Sequence, residues 1–220
     1  MSKGYFISGT DTGVGKTLVA SILVNKFDAI YYKPIQCGVD QFGYKDSDII
    51  TKNCNRKTIL SETYFFEKGL SPNIAADFEK KKIRMVKFKN VLNEKLKKKI
   101  FIEGAGGLNV PLNDKMLMID LIKFFNFPVI LVSRSQLGTI NHTLLSINLL
   151  KQKKIKLCGI VFVGENEPET FKTILKFGKK IYGKKINIIA KIPFKSVINK
   201  KSVEDMKTLF GVIWNQKNKF

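Results

Sequence analysis

Short runs of apolar residues alternate along the chain with amphipathic segments of helical period. The apolar runs, which predict buried strands, lie at residues 5–8, 29–32, 99–103, 128–133, 157–163 and 186–192. The segments that predict helices lie at 18–27, 139–151 and 168–182. This alternation predicts an α/β fold with a mostly parallel central sheet flanked by helices.

The region over residues 38–87 has only weak patterning and predicts loops and short helices above the active site. There is no internal repeat, linker or break in composition, and 220 residues suffice for one core. We therefore expect a single domain over 1–220.

In a parallel sheet, ligands bind beyond the carboxyl ends of the strands. Chemically active residue types follow four of the predicted strands: the glycine-rich segment that begins at Gly9, then Lys33, Glu103 and Ser133. The pattern predicts that they gather at one edge of the sheet.

The segment between the first strand and the first helix reads Gly-Thr-Asp-Thr-Gly-Val-Gly-Lys-Thr over residues 9–17. Glycines there let backbone N–H groups surround phosphates, Lys16 reaches the terminal phosphates, and the Thr17 hydroxyl is placed for Mg²⁺. This context predicts a P-loop NTPase fold. The usual spacing would put a glycine at Thr10, so the loop that starts at Gly9 is one residue longer than the common form.

The longer loop resembles that of the dethiobiotin synthetase family. Further segments match the pattern of this family: Tyr32-Lys33-Pro34-Ile35 with Gly38, the run from Glu103 to Gly107 with Pro111-Leu112, and Leu137-Gly138-Thr139-Ile140-Asn141-His142. The resemblance extends to about Leu150. It implies an ATP-dependent cyclo-ligase of biotin biosynthesis, which converts 7,8-diaminononanoate and CO₂ to dethiobiotin through a carbamate and a carbamic-phosphoric anhydride.

The resemblance also implies roles for individual residues. Thr12, Lys16 and Lys33 are the expected catalytic residues, with Lys33 near the carbamate. Mg²⁺ is expected on Thr17, Asp48 and Glu103, although Asp46 lies two residues away and could replace Asp48. The residues expected to bind ATP are Gly13, Val14, Gly15, Lys16, Thr17, Glu103 and Gly106.

For the diamine substrate, the resemblance implies contacts from Cys37, Leu137, Gly138, Thr139 and Asn141. The last four open a predicted helix, whose free N–H groups suit a carboxylate. The resemblance implies that they reach the active site of a neighbouring subunit, and hence a homodimer. His142, the sole histidine, is expected to be buried or to cap a helix.

The base-binding end departs from the family pattern. Many members carry an asparagine directly after the strand at 157–163, where this chain has Val163-Gly164-Glu165, with Asn166 slightly late. ATP is therefore the expected nucleotide, and GTP or CTP remain possible alternatives.

The formal charge of +21 allows another hypothesis: a nucleotide switch of the partition or division type that binds nucleic acid or membrane. Such switches usually carry an extra lysine near the loop start, where this chain has Asp11. The lysine runs are spread over the whole chain, which favours a composition bias and no specific nucleic-acid partner.

The remaining composition predicts a cytoplasmic enzyme that does not enter a membrane. No stretch approaches the roughly 20 apolar residues of a membrane span, and the N-terminus does not have the pattern of a signal peptide. The three cysteines show neither disulfide nor metal spacing.

Overall fold

The structure is a computed structural model and describes residues 4–54, 58–89, 91, 98–195 and 197–211. The ends of the predicted domain, 1–3 and 212–220, lie outside the described residues.

A seven-stranded parallel sheet forms the centre of the fold, as the alternating pattern predicts. Its strands in chain order are β1 (Gly4–Gly9), β2 (Ile30–Tyr32), β4 (Thr58–Leu60), β6 (Ile100–Gly107), β9 (Val129–Arg134), β10 (Leu157–Val163) and β11 (Ile188–Ile192). Across the sheet the order is β11-β10-β9-β1-β6-β2-β4, and all six neighbouring pairs are parallel. The strand that leads into the phosphate loop is thus the fourth of seven.

Helices connect these strands, and two small sheets lie beside them. The helices are α1 (Lys16–Phe27), α2 (Asp46–Asn53), α3 (Pro72–Phe78), α4 (Met118–Phe125), α5 (Thr139–Gln152), α6 (Pro168–Tyr182) and α7 (Lys200–Met206). The small sheets pair β3 (Ile35–Cys37) with β5 (Tyr64–Phe66), and β7 (Pro111–Asn113) with β8 (Met116–Leu117). None of the helices among the described residues has the length and apolar character needed to cross a membrane.

The core lies on both faces of the sheet because successive strand residues point to opposite sides. On one face, Phe6, Ile102 and Leu131 belong to one buried cluster. On the other, Ile7 and Val132 join the apolar face of α1. Both faces are therefore dry, as a parallel sheet requires.

Three elements depart from the pattern-based prediction. Helix α4 is an eight-residue apolar stretch, which periodicity alone cannot distinguish from a strand. Strand β4 adds an edge to the main sheet from within the weakly patterned region, and its three residues are too few to show a period. Strand β6 continues past Glu103 to Gly107, so Glu103 lies inside the strand and not at its end.

Candidate active site

The phosphate loop joins β1 to α1, and its backbone has the shape that its glycines predict. Gly13 and Gly15 have φ angles of 61° and 99°, in the left-handed region that other residues rarely adopt. A side chain at Gly9 would meet the carbonyl oxygen of Asp11 at 2.6 Å. No side chain caps the N-terminus of α1. Its first N–H groups are therefore available to an anion.

Lys16 begins α1 and lies almost fully buried under the loop. Its ammonium donates to the carbonyl oxygen of Asp11 at 2.8 Å. Burial, followed by repulsion from Lys33, lowers the pKa of Lys16 to about 8. Phosphates beside this ammonium would favour its charged form.

Glu103 is 1% exposed and accepts hydrogen bonds on both oxygens. Its Oε1 accepts from Thr17 Oγ1 at 3.0 Å and from Lys33 Nζ at 3.1 Å, and its Oε2 accepts from the hydroxyl of Tyr31 at 2.9 Å. Burial raises the pKa of Glu103, while the charge of Lys33 acts in the opposite direction. These donors fix the carboxylate beside the phosphate loop.

Lys33 follows β2 and lies between two carboxylates. Its ammonium is 2.5 Å from Asp46 Oδ2 and 3.1 Å from Glu103 Oε1, and it also donates to the carbonyl oxygen of Gly104 at 3.2 Å. Burial disfavours its charge, but Asp46 and Glu103 outweigh burial and raise the pKa of Lys33. Lys33 is thus a fixed buried cation.

The two aspartates at the start of α2 lie in different surroundings. Asp46 contacts Lys33, and that ion pair lowers the pKa of Asp46 against the effect of burial. Asp48 Oδ2 instead accepts from the backbone N–H of Lys45 at 3.0 Å, as a helix-capping carboxylate does. The structure therefore brings Asp46 to Glu103 and Lys33, and places Asp48 at the helix cap.

The oxygens of Thr17 and Glu103 fit a magnesium ion. They are 3.0 Å apart. Adjacent ligands of an octahedral Mg²⁺ with bonds of about 2.0–2.1 Å are about 2.9 Å apart. No group of three or more His, Cys, Asp or Glu side chains suited to a metal occurs in the described ranges.

One cavity of about 1200 Å³ connects these groups. Thr12, Cys37 and Gly106 also line it, as the sequence predicts. Burial raises the pKa of the Cys37 thiol to about 11. A protonated thiol suits a wall and not a nucleophile.

The start of α5 lies apart from this cavity. Leu137 and Asn141 are exposed, and none of Leu137, Gly138, Thr139 and Asn141 lines the cavity. Thr139 is buried and hydrogen-bonds Ser133 at 2.7 Å. His142 is exposed, so of the two roles predicted for it, buried or capping, the buried one is wrong.

The sequence is similar to one protein-family model and to named relatives. A family model described as "AAA domain" matches residues 3–202. The ATP-dependent dethiobiotin synthetase BioD of Lawsonia intracellularis is 39% identical over 216 residues, covering 94% of this chain and 99% of the relative. The protein of the same name from Christiangramia forsetii is 42% identical over 191 residues, covering 84% and 87%.

The chain belongs to the ATP-dependent dethiobiotin synthetase family.

Solved structures confirm the fold class. A ParA family ATPase from Chlorobium tepidum superposes with a TM-score of 0.55 at 8% identity, covering 98% of this chain and 95% of that one. The septum site-determining protein MinD from Pyrococcus horikoshii gives 0.54 at 16% identity, covering 93% and 86%. At such identities the likeness shows a shared P-loop NTPase fold alone.

Two residues that shape this site were not predicted from the sequence. Tyr31, which holds Glu103, lies in a run that signals only a buried strand, and no sequence signal marks its hydroxyl. Phe194 lines the far end of the cavity, and its position directly after Pro193 at the end of β11 was the available signal.

The structure also shows the region after β10 where the sequence departs from the family pattern for binding the base. Asn166 Oδ1 accepts from Lys191 Nζ at 3.4 Å, and Asn166 does not line the cavity. Gly164, directly after β10, offers no side chain. Phe194, Lys195, Val197 and Ile198, from the segment after β11, line the cavity.

Proposed function

We propose that this chain is a dethiobiotin synthetase that closes the cyclic urea of dethiobiotin from 7,8-diaminononanoate, CO₂ and ATP. The observation that carries the proposal is the buried cluster of Lys33, Glu103 and Thr17 beside a phosphate loop in one cavity. The identity of the substrates is inferred from the family to which the chain belongs.

The proposed reaction has three steps, and each involves an anion that positive charge in the cavity would stabilise. One amine of the substrate adds CO₂ and loses a proton, which gives a carbamate anion. The carbamate oxygen then attacks the γ-phosphorus of ATP, and ADP leaves. Finally the second amine attacks the carbonyl carbon of the mixed anhydride, loses a proton and expels phosphate.

Lys33 and Lys16 supply the positive charge that these anions need. Lys33 is a fixed cation for the carbamate, and Lys16 with the loop amides holds the transferring phosphate. Thr12, which belongs to this loop, lines the cavity and is proposed to contact the same phosphate.

Mg²⁺ would be held by Thr17, Glu103 and an aspartate from the start of α2, and would neutralise charge on the phosphates. The position of Asp46 beside Lys33 favours Asp46 over Asp48 for this role. Val14, Gly15 and Gly106 complete the proposed nucleotide contacts, with Gly13.

A homodimer would explain the exposed start of α5. Leu137 is fully exposed and no side chain caps this helix, so its N–H groups suit the substrate carboxylate at a neighbouring subunit. The cytoplasm is the proposed compartment, and the reduced thiols of Cys37, Cys54 and Cys158 fit its reducing conditions.

The decisive experiment measures phosphate release and product mass together. We expect release only when diamine, bicarbonate, ATP and Mg²⁺ are all present, with the cyclic urea detected by mass spectrometry. Release without the diamine, or no cyclic urea, would contradict the proposal. GTP and CTP replace ATP in parallel reactions to define the base preference.

The partition-type alternative is tested in parallel by gel shift. It requires DNA binding that depends on ATP and persists near physiological salt, because non-specific binding of a basic surface weakens steeply with salt. We expect no such binding.

A further inference from the structure

Arg134 ends β9 directly beside the phosphate loop and holds the loop's backbone. Its Nε donates to the carbonyl oxygen of Gly13 at 3.0 Å, and its Nη2 donates to the same oxygen at 2.6 Å. Gly13 has a φ of 61°. The arginine thus binds the loop at one of its left-handed residues.

The same guanidinium lies over an aromatic ring from another loop. Its central carbon is 5.4 Å from the ring centroid of Phe194, within the range of a cation–π contact. Nη1 donates to Gln136 Oε1 at 3.3 Å, which fixes the plane of the group. Arg134 therefore joins the loops that follow β1, β9 and β11.

The sheet order shows which part of a nucleotide this contact serves. Lys33 and Glu103 come from β2 and β6, on one side of β1, whereas Arg134 and Phe194 come from β9 and β11, on the other. A nucleotide whose terminal phosphate lies near Lys33 and Glu103 can extend past the phosphate loop toward Phe194, which lines the same cavity. Phe194 is half exposed and lines the cavity, so its ring is accessible to a base.

No ion pair joins Arg134 to a carboxylate among the residues that the structure describes. Its charge is therefore directed at the Gly13 carbonyl oxygen and the Phe194 ring. A fixed guanidinium also keeps its donors in a plane that lysine cannot reproduce.

We propose that Arg134 is a positioning residue for the nucleoside di- or triphosphate: it fixes the phosphate loop through the Gly13 carbonyl and supports Phe194 as a platform on which the base stacks. A stacking platform accepts any base, since every base has a π-face. The inference rests on the nucleotide-binding part of the proposed function, and it does not depend on the ligase chemistry.

The test measures ADP binding by titration calorimetry for Arg134→Ala, Arg134→Lys and a matched control, Arg84→Ala. Arg84 is exposed and precedes the 3-10 turn Met85–Phe88. We expect the dissociation constant of R134A for ADP to be about tenfold larger than that of the wild type, since hydrogen bonds to charged groups are among the stronger ones. R134K should recover part of this loss, and R84A should stay within twofold of the wild type.

Steady-state kinetics separates positioning from general structural damage. We expect R134A to raise the KM for ATP about tenfold while kcat and the KM for the diamine stay within about twofold. If the KM for ATP, kcat and the KM for the diamine all worsen by the same factor, and the Tm falls, the proposal is overturned. Wild-type ADP affinity in R134A would overturn it as well.

The double variant R134A/F194A tests the support of the platform. If the two residues act together, the double variant binds ADP about as weakly as the weaker single variant. If the fold-losses of ADP affinity in the two single variants multiply in the double variant, the support of Phe194 by Arg134 is overturned. A wild-type protein that binds ADP but forms no cyclic urea would overturn the proposed function and leave this inference standing.

Discussion

At the Lys33 end of the cavity the charged side chains are largely buried and hydrogen-bonded, whereas at the Phe194 end the side chains are partly exposed and come from loops. Lys33 and Glu103 contact each other and are each no more than 5% exposed in their side chains. Phe194 is 53% exposed. The contrast indicates that the groups proposed for phosphoryl transfer are held by buried contacts, while the Phe194 ring is accessible to a ligand.

The largest loss should come from Lys16→Ala, because Lys16 serves the phosphates at the junction of the two ends. We expect turnover to fall by about 10²-fold or more, as for removal of one charge-stabilising contact. The coupled phosphate-release assay measures this loss. Lys172→Ala, on the exposed surface of α6, is the matched control and should match the wild type.

Lys33→Ala should separate chemistry from binding. We expect kcat to fall by about 10²-fold, with the dissociation constant for ADP within about threefold of wild type, because Lys33 lies on the reaction side of the loop. Calorimetry with ADP and steady-state kinetics give the two values. Equal, mild losses in K16A and K33A would contradict the division of the cavity into two ends.

Asp46→Asn and Asp48→Asn test which aspartate belongs to the reaction end. We expect D46N to raise the Mg²⁺ concentration for half-maximal activity about tenfold or more. D48N should leave that concentration unchanged and destabilise the fold by about 1 kcal/mol, since it weakens a helix cap. Mg²⁺ titrations and thermal unfolding of both variants distinguish the roles, and the reverse pattern would assign the metal to Asp48.

Cys37 reports on the surroundings of the reaction end through its pKa of about 11. A raised thiol pKa keeps the unreactive protonated form until pH approaches that value, so reactivity rises with pH above 8. At pH 8 we expect iodoacetamide to modify Cys37 about tenfold or more slowly than a free thiol with a pKa of about 8.5. Peptide mass spectrometry from pH 7 to 10 measures the rate, and a plateau below pH 9 would contradict this environment.

The smallest effect is expected from Asn166→Ala. Asn166 is bonded to Lys191 and does not line the cavity, so ADP affinity should change less than twofold. Calorimetry is again the measurement. A loss of tenfold would mean that the base end does read its ligand through this amide.

The contrast between the Lys33 end and the Phe194 end of the cavity also explains how much could be predicted from the sequence. The phosphate loop, Lys33 and Glu103 follow from local patterns, because each sits beside a recognisable strand of a predictable parallel sheet. The contact between Arg134 and Gly13 joins residues 121 positions apart. Tyr31 reaches Glu103 only after β2 pairs with β6, and Asp46 reaches Lys33 only after the chain between them folds back. No helical or strand period predicts either contact.

The parallel order of the sheet also has a consequence for evolution and engineering. The residues proposed for phosphoryl transfer and Mg²⁺ lie in the first half of the chain, up to β6, whereas Arg134, the start of α5 and the loop after β11 lie in the second half. The two halves meet at β1, which pairs with β6 on one side and β9 on the other. The segment over residues 193–198 could therefore be exchanged to change the preferred nucleotide while the carbamate chemistry is inherited intact.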